Sequence, residues 1–121
     1  MSTATQSPES QFSACGQLQL EDIPAVAQRG FRSIINNRPD GEAAPAEQPS
    51  SSALANAAAA AGLTYTHLPV VSGQLTQAQI NEMAHLLQTL PAPILAFCRS
   101  GTRSKALFDL AQALLKSPAQ K

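Results

Sequence analysis

The sequence contains no tryptophan, and aromatic residues make up only 4% of its 121 positions. A hydrophobic core can still form, because 44% of the residues are hydrophobic, but it must be built mainly from aliphatic side chains. The length fits a single domain. We expect this domain to cover residues 11–116, between polar tails at residues 1–10 and 117–121.

An excess of charge of either sign is also lacking, because 8 basic residues balance 8 acidic ones. This balance argues against a broad surface for nucleic acids or anionic membranes. No apolar run approaches the ~18–20 residues of a membrane helix. The first eight residues show neither the basic nor the apolar region of a signal peptide. These absences predict a cytoplasmic protein that binds neither nucleic acid nor membrane.

Cysteine and histidine are scarce and scattered. Cys15 and Cys98 lie far apart and form no CxxC pair, and with His67 and His85 they do not have the spacing of a zinc site. We therefore predict no metal and no cofactor. Cys15 has no basic neighbour and is interpreted as a packing residue. His67 is interpreted as a strand residue with a packing or hydrogen-bonding role, Tyr65 as a sheet residue, and His85 as a solvated helix residue.

Apolar segments alternate with helical patterns along the chain. Strands are predicted at residues 11–15, 31–36, 64–71 and 94–97. Helices are predicted at residues 22–28, 53–61, 76–90 and about 102–115. Such alternation predicts an α/β fold with a small, mostly parallel sheet flanked by helices. In such folds ligands bind beyond the carboxyl ends of the strands.

The segment after the last predicted strand has the features of an anion-binding loop. It reads Cys98-Arg99-Ser100-Gly101-Thr102-Arg103 and leads directly into a helix. The loop amides and the helix N-terminus favour negative charge, and Gly101 permits a tight turn. All of these features favour a thiolate, which is the competent form of a cysteine nucleophile.

We therefore predict specific roles for the residues of this loop. Cys98 is the predicted nucleophile, and Arg103 the side chain that grips a substrate oxyanion. Substrate contacts are predicted from the rest of the loop and the residue after it, namely Arg99, Ser100, Gly101, Thr102 and Ser104.

A second loop, residues 36–42, also follows a predicted strand and should lie at the same sheet edge. Arg38 could form a second anion clamp there, and Asp40 could donate a proton. The alternative, a charged surface turn with an Asp-Gly corner, remains open at this stage.

Three segments carry a family resemblance. They are GFRSIINNRPDGE, AAAAAGLTYTHLPVVSGQLT and PILAFCRSGTRS. With them, residues 11–115 resemble the phosphatase-like domain of bacterial β-lactamase hydrolase-like proteins. The resemblance implies a fold like that of the dual-specificity phosphatases, with the cysteine loop after the last strand. Members are described both as phosphatases and as sulfurtransferases, and some carry a metallo-β-lactamase-type module that looks like a persulfide dioxygenase.

The loop departs from the protein tyrosine phosphatase pattern His-Cys-x5-Arg. Arg103 is the fifth residue after Cys98, Ser104 is the sixth, and Phe97 stands in place of the histidine. This shorter loop resembles that of rhodaneses. Residues 68–74, where a phosphatase would carry its general acid, contain no carboxylate.

Both departures favour sulfur transfer as the first hypothesis. Cys98 would then take a persulfide from thiosulfate or glutathione persulfide and pass it to a thiol acceptor, with a persulfide dioxygenase as a possible partner. A phosphatase that forms a phosphocysteine on Cys98 is the alternative. A non-catalytic module that binds a small anion is the third hypothesis.

Overall fold

The computed structural model describes residues 11–116, so both predicted tails lie outside the described residues. Four strands form one sheet: β1 (Phe12–Cys15), β2 (Ser33–Asn36), β3 (Thr64–His67) and β4 (Ile94–Phe97). Their spatial order is β1-β4-β2-β3, and every neighbouring pair is parallel. The predicted α/β fold with a parallel sheet is confirmed.

Helices connect the strands as predicted. They are α1 (Ile23–Gln28), α2 (Ser51–Ala60), α3 (Gln77–Thr89) and α4 (Thr102–Lys116), and a short 3₁₀ turn (Leu20–Asp22) precedes α1. Ser50 caps α2 by accepting the N–H of Ala53. Thr76 and Gln79 form a reciprocal capping box at the start of α3.

The core has two halves, one on each face of the sheet. Because successive strand residues point to opposite faces, Ile94 and Ala96 of β4 pack under α3 and α4. Leu95 and Phe97 pack on the other side, against α1 and α2. All four residues of β4 are buried, as expected of an internal strand that is covered on both faces.

Three predicted strands are longer than the observed ones, and β1 differs by a single residue. β3 ends at His67 instead of residue 71, although the N–H of Leu68 still donates to Asn36. Pro69 has no N–H, so regular pairing cannot continue through it. β2 begins at Ser33, because the N–H groups of both Arg32 and Ser33 turn to the carbonyl of Pro93. Over residues 11–116, no helix combines the length and apolarity that a membrane span requires.

Candidate active site

The carboxyl ends of the strands bring the two predicted loops together. The N–H of Asn37, just after β2, donates to the carbonyl of Phe97 at the end of β4 over 2.8 Å. The N–H of Gln17, after β1, donates to the carbonyl of Arg99 over 3.2 Å. The cysteine loop is therefore held between the segments that follow its two neighbouring strands. This placement agrees with the rule that parallel sheets bind ligands at this edge.

Cys98 lies beneath its own loop. The residue is only 1% exposed, and its Sγ accepts the N–H of Gly101 over 3.1 Å. Gly101 has a φ of +96°, and a Cβ there would approach the carbonyl carbon and oxygen of Cys15 to 3.3 Å. Glycine therefore allows both the tight turn and the close approach to β1. The sulfur belongs to neither half of the aliphatic core.

The surroundings of the sulfur favour its ionised form. Burial raises the pKa of the Cys98 thiol, but hydrogen bonds from the N–H and hydroxyl of Ser104 and the N–H groups of Gly101 and Ser100 outweigh it, so that the pKa is lowered. The Ser104 hydroxyl also lies 2.8 Å from Oδ1 of Asn37. A hydroxyl has one proton, so Ser104 donates either to Asn37 or to the sulfur. The backbone amides supply the constant part of the stabilisation.

The two cysteines should therefore differ in reactivity. Burial raises the pKa of Cys15 to about 11, with a smaller opposing effect of Arg29, whereas the pKa of Cys98 is lowered. Alkylation of the native protein by iodoacetamide, followed by peptide mass spectrometry across a pH series, should show Cys98 reacting at lower pH than Cys15. A Cys98 that stays unreactive until the protein unfolds, or that titrates no lower than Cys15, would contradict this assignment.

The carboxylate of Glu42 binds Arg103, and the sequence analysis assigned no role to Glu42. The two Nη atoms of Arg103 donate to Oε2 and Oε1 of Glu42 over 2.8 and 2.9 Å, and Nη1 also donates to the carbonyl of Val70. Arg38 donates from Nε to the same carboxylate over 2.9 Å and from Nη1 to Gln17 over 3.0 Å. Glu42 thus links the two arginines and fixes their orientation.

The Glu42 carboxylate is ionised at neutral pH. Hydrogen bonds from Arg103 and, less strongly, Arg38 outweigh the opposing effect of burial and lower the pKa of Glu42 to about 2. Since the folded-state pKa lies below the ordinary value of 4.5, the stability from these ion pairs is present above that value and is lost as the pH falls towards 2. Glu42 is therefore a positioning residue and no source of protons near neutral pH.

A cleft of about 670 Å³ opens above the loop. Arginines and hydroxyl groups dominate its lining, together with two glutamates: Arg38, Arg99, Arg103, Ser72, Ser100, Thr102, Glu42 and Glu47. Three guanidinium groups and the N-terminus of α4 at one site favour an anionic guest. Within residues 11–116, no group of three or more histidine, cysteine or acidic side chains is placed to hold a metal ion.

Most of the predicted site residues come together, with one clear exception. Arg38, Arg99, Ser100, Thr102 and Arg103 line the cleft, while Cys98, Gly101 and Ser104 are buried and do not line it. Asp40 does not line the cleft, and its Oδ1 accepts the N–H of Ser51 at the start of α2 over 2.8 Å. Its carboxylate therefore accepts the N–H of the first residue of α2, and its place outside the cleft agrees with the alternative of a charged turn.

The remaining polar residues have structural partners. Nε2 of His67 lies 2.8 Å from the carbonyl of Arg38, and the Tyr65 hydroxyl bonds with Asn36 and Ser51. The first observation agrees with the interpretation of His67, Tyr65 lies in β3 as expected of a sheet residue, and His85 is exposed as expected. Cys15 packs against the face of the sheet that carries α1 and α2.

Sequence reasoning missed Glu42, Glu47, Asn37 and Ser72. Glu42 stands four residues after Arg38, a spacing at which opposite charges can pair, and this signal was available. Ser72 lies within residues 68–74, which contain no carboxylate. No local pattern distinguishes Asn37 or Glu47, because their contacts are made across the fold.

The comparison with protein families decides the relationship. The family model of the beta-lactamase hydrolase-like protein, phosphatase-like domain, matches residues 5–115. The chain belongs to this family. This phosphatase-like domain is 38% identical over 99 residues to the Beta-lactamase hydrolase-like proteins of Agrobacterium fabrum and of Xylella fastidiosa, and the match covers 82% of the chain. It spans only about a fifth (22%) of the length of those relatives.

Solved structures share the fold of the phosphatase-like domain. A candidate phosphatase from Neisseria meningitidis superimposes with a TM-score of 0.80 at 28% identity, covering 98% of this chain and 83% of that one. TpbA of Pseudomonas aeruginosa, solved as its C132S variant with phosphotyrosine, gives a TM-score of 0.65 at 10% identity, covering 88% of this chain and 60% of that one. The latter similarity concerns the fold alone. The predicted phosphatase-like architecture is confirmed.

Proposed function

We propose that this domain is a cysteine-dependent phosphatase. The observation that carries the proposal is the Cys98 sulfur, held by loop amides beneath a cleft that three arginines line. An amide ring around a thiolate, with a fixed guanidinium beside it, suits the oxygens of a phosphoryl group. The name of the family and the candidate phosphatase from Neisseria meningitidis support the same choice.

In the proposed reaction, the Cys98 thiolate attacks the phosphorus of a phosphate monoester. The bond from phosphorus to the ester oxygen breaks, and a phosphocysteine forms. Arg103, oriented by Glu42, and the amides of the loop stabilise the charge on the phosphoryl oxygens. Water then attacks the phosphocysteine, which releases inorganic phosphate and regenerates the thiolate.

Sulfur transfer, our first hypothesis from the sequence, becomes the second candidate. The short spacing from Cys98 to Arg103 and the absence of a carboxylate in residues 68–74 still favour it. However, the cleft of about 670 Å³, which Arg99, Ser100 and Arg103 help to line, has room for a whole phosphate ester, and this supports the phosphatase proposal. The thiol acceptor and the persulfide dioxygenase partner belong to this second candidate.

Trapping the intermediate distinguishes the two reactions. The protein is incubated separately with an aryl phosphate and with thiosulfate, quenched rapidly and analysed by peptide mass spectrometry. The proposal expects the mass of one phosphoryl group on the peptide that carries Cys98, together with steady release of phosphate. The mass of one sulfur atom on Cys98, removed by cyanide, without phosphate turnover would establish sulfur transfer. Neither adduct and no turnover would support the non-catalytic anion-binding module.

A further inference from the structure

Phosphate ester hydrolysis needs a proton donor for the leaving alcohol. Residues 68–74, where a phosphatase would carry this donor, contain no carboxylate. Two carboxylates among the described residues line the cleft, those of Glu42 and Glu47. Glu42 is ionised and bound by two arginines, and Asp40 is directed to the start of α2. Ser72, which belongs to residues 68–74, lines the cleft, but its hydroxyl is too weak an acid to replace a carboxylic group.

We infer that Glu47 is the general acid of the phosphatase reaction. This inference rests on the proposed function and assigns a catalytic residue to it. The Glu47 side chain is exposed at the cleft, and among residues 11–116 no ion pair holds its carboxylate. Its carboxylate can therefore turn towards a bound ester, whereas Arg38, Glu42 and Arg103 hold one another in place.

The backbone around Glu47 is held firmly. Its N–H donates to the carbonyl of Ala44 over 2.9 Å, and its carbonyl accepts Nε2 of Gln19 over 2.9 Å. The next residue, Gln48, is buried and bonds with the N–H of Ala43 and the carbonyl of Pro39. The exposed Glu47 carboxylate thus extends from a fixed turn that lines the cleft. This limits the positions that the carboxylate can occupy.

The proton movements balance in both half-reactions. As the Cys98 thiolate forms its bond to phosphorus, neutral Glu47 gives its proton to the departing ester oxygen, which leaves as an alcohol. The resulting Glu47 carboxylate then takes a proton from the water that attacks the phosphocysteine. This second step yields hydrogen phosphate, the free thiolate and neutral Glu47, so that the cycle closes.

Glu47→Gln tests the inference through the leaving group. On a phosphotyrosine peptide, whose phenol leaves poorly as an anion, kcat should fall by about 10²–10⁴-fold. On 4-nitrophenyl phosphate, whose anion leaves without a proton, the loss should be far smaller. The fall of kcat at the basic side of the pH profile, measured on the peptide, should disappear in the variant. Glu82→Gln, the same change at an exposed position of α3 away from the cleft, is the matched control.

The outcomes separate this inference from the proposed function. If Glu47 acts only as a negative charge beside an anionic substrate, Glu47→Gln should raise kcat/KM on both substrates alike, and the inference is overturned. Equal losses on both substrates would also overturn it. Either result leaves the phosphatase proposal standing, provided that Cys98-dependent turnover of 4-nitrophenyl phosphate is observed. If the unmodified protein releases phosphate from neither substrate, the proposed function and the role of Glu47 fail together.

Discussion

Replacing Cys98 with serine should abolish the turnover of 4-nitrophenyl phosphate, with a loss of about 10⁴–10⁶-fold in kcat, as for other enzymes that lose their nucleophile. The loop amides lower the pKa of the thiol, but a serine hydroxyl starts from a much higher pKa and stays protonated there. Because the two side chains are similar in size, the loop should keep its shape. Inorganic phosphate should therefore still bind Cys98→Ser, which calorimetry can measure beside steady-state kinetics.

Cys15→Ser is the matched control for this variant. Cys15 lies on β1, opposite Phe97 of β4, and its raised pKa of about 11 keeps it protonated at neutral pH. Its replacement should leave kcat and the trapped intermediate essentially unchanged. If turnover survives in Cys98→Ser but disappears in Cys15→Ser, the nucleophile is Cys15 and our assignment of Cys98 is wrong.

The part of the site that could be predicted from the sequence is contiguous in the chain. Residues 98–103 lie between a buried strand and a helix, so their position at the sheet edge follows from local pattern and from the rule for parallel sheets. Gly101 illustrates this local character. The turn that it permits directs its own N–H to Cys98, three residues earlier in the chain.

The part that could not be predicted depends on contacts between distant segments. Glu42 and Arg103 are separated by 61 positions, and their pairing requires the loop after β2 to lie against the start of α4. Asp40 shows that residues close in sequence can also face different parts of the structure. It stands only two residues from Glu42 in the same loop, yet the backbone turns it towards Ser51 and away from the cleft. Sequence spacing alone does not reveal which carboxylate of this loop faces the arginines.

The spacing from Cys98 to Arg103 describes only part of the cleft. Arg103 is the fifth residue after Cys98, and this short spacing favoured sulfur transfer in the sequence analysis. In the structure, Arg38 after β2 and Ser72 after β3 line the cleft together with Arg99 and Arg103 of the loop. Segments outside the motif therefore contribute to the surface that a substrate would contact.

Arg103→Lys should reduce kcat/KM on 4-nitrophenyl phosphate by about 10²–10³-fold, the usual loss for one donor that stabilises transition-state charge. The guanidinium makes two hydrogen bonds to Glu42 and one to Val70, which hold its plane in one orientation. A lysine ammonium is a point charge and cannot reproduce this planar fork, although it keeps the net charge.

The Arg103→Lys comparison therefore separates orientation from charge. Inorganic phosphate, measured as a competitive inhibitor, should bind more weakly to the variant, because the ammonium would be drawn to Glu42 and away from the substrate. Arg32→Lys makes the same chemical change at an exposed residue beside the opposite end of β2, and it should leave kcat/KM within about twofold of the unmodified protein. If Arg103→Lys also stays within that range, positive charge alone is sufficient at this position. The network of Glu42 and Val70 would then serve the stability of the loop and have no part in binding the phosphoryl oxygens.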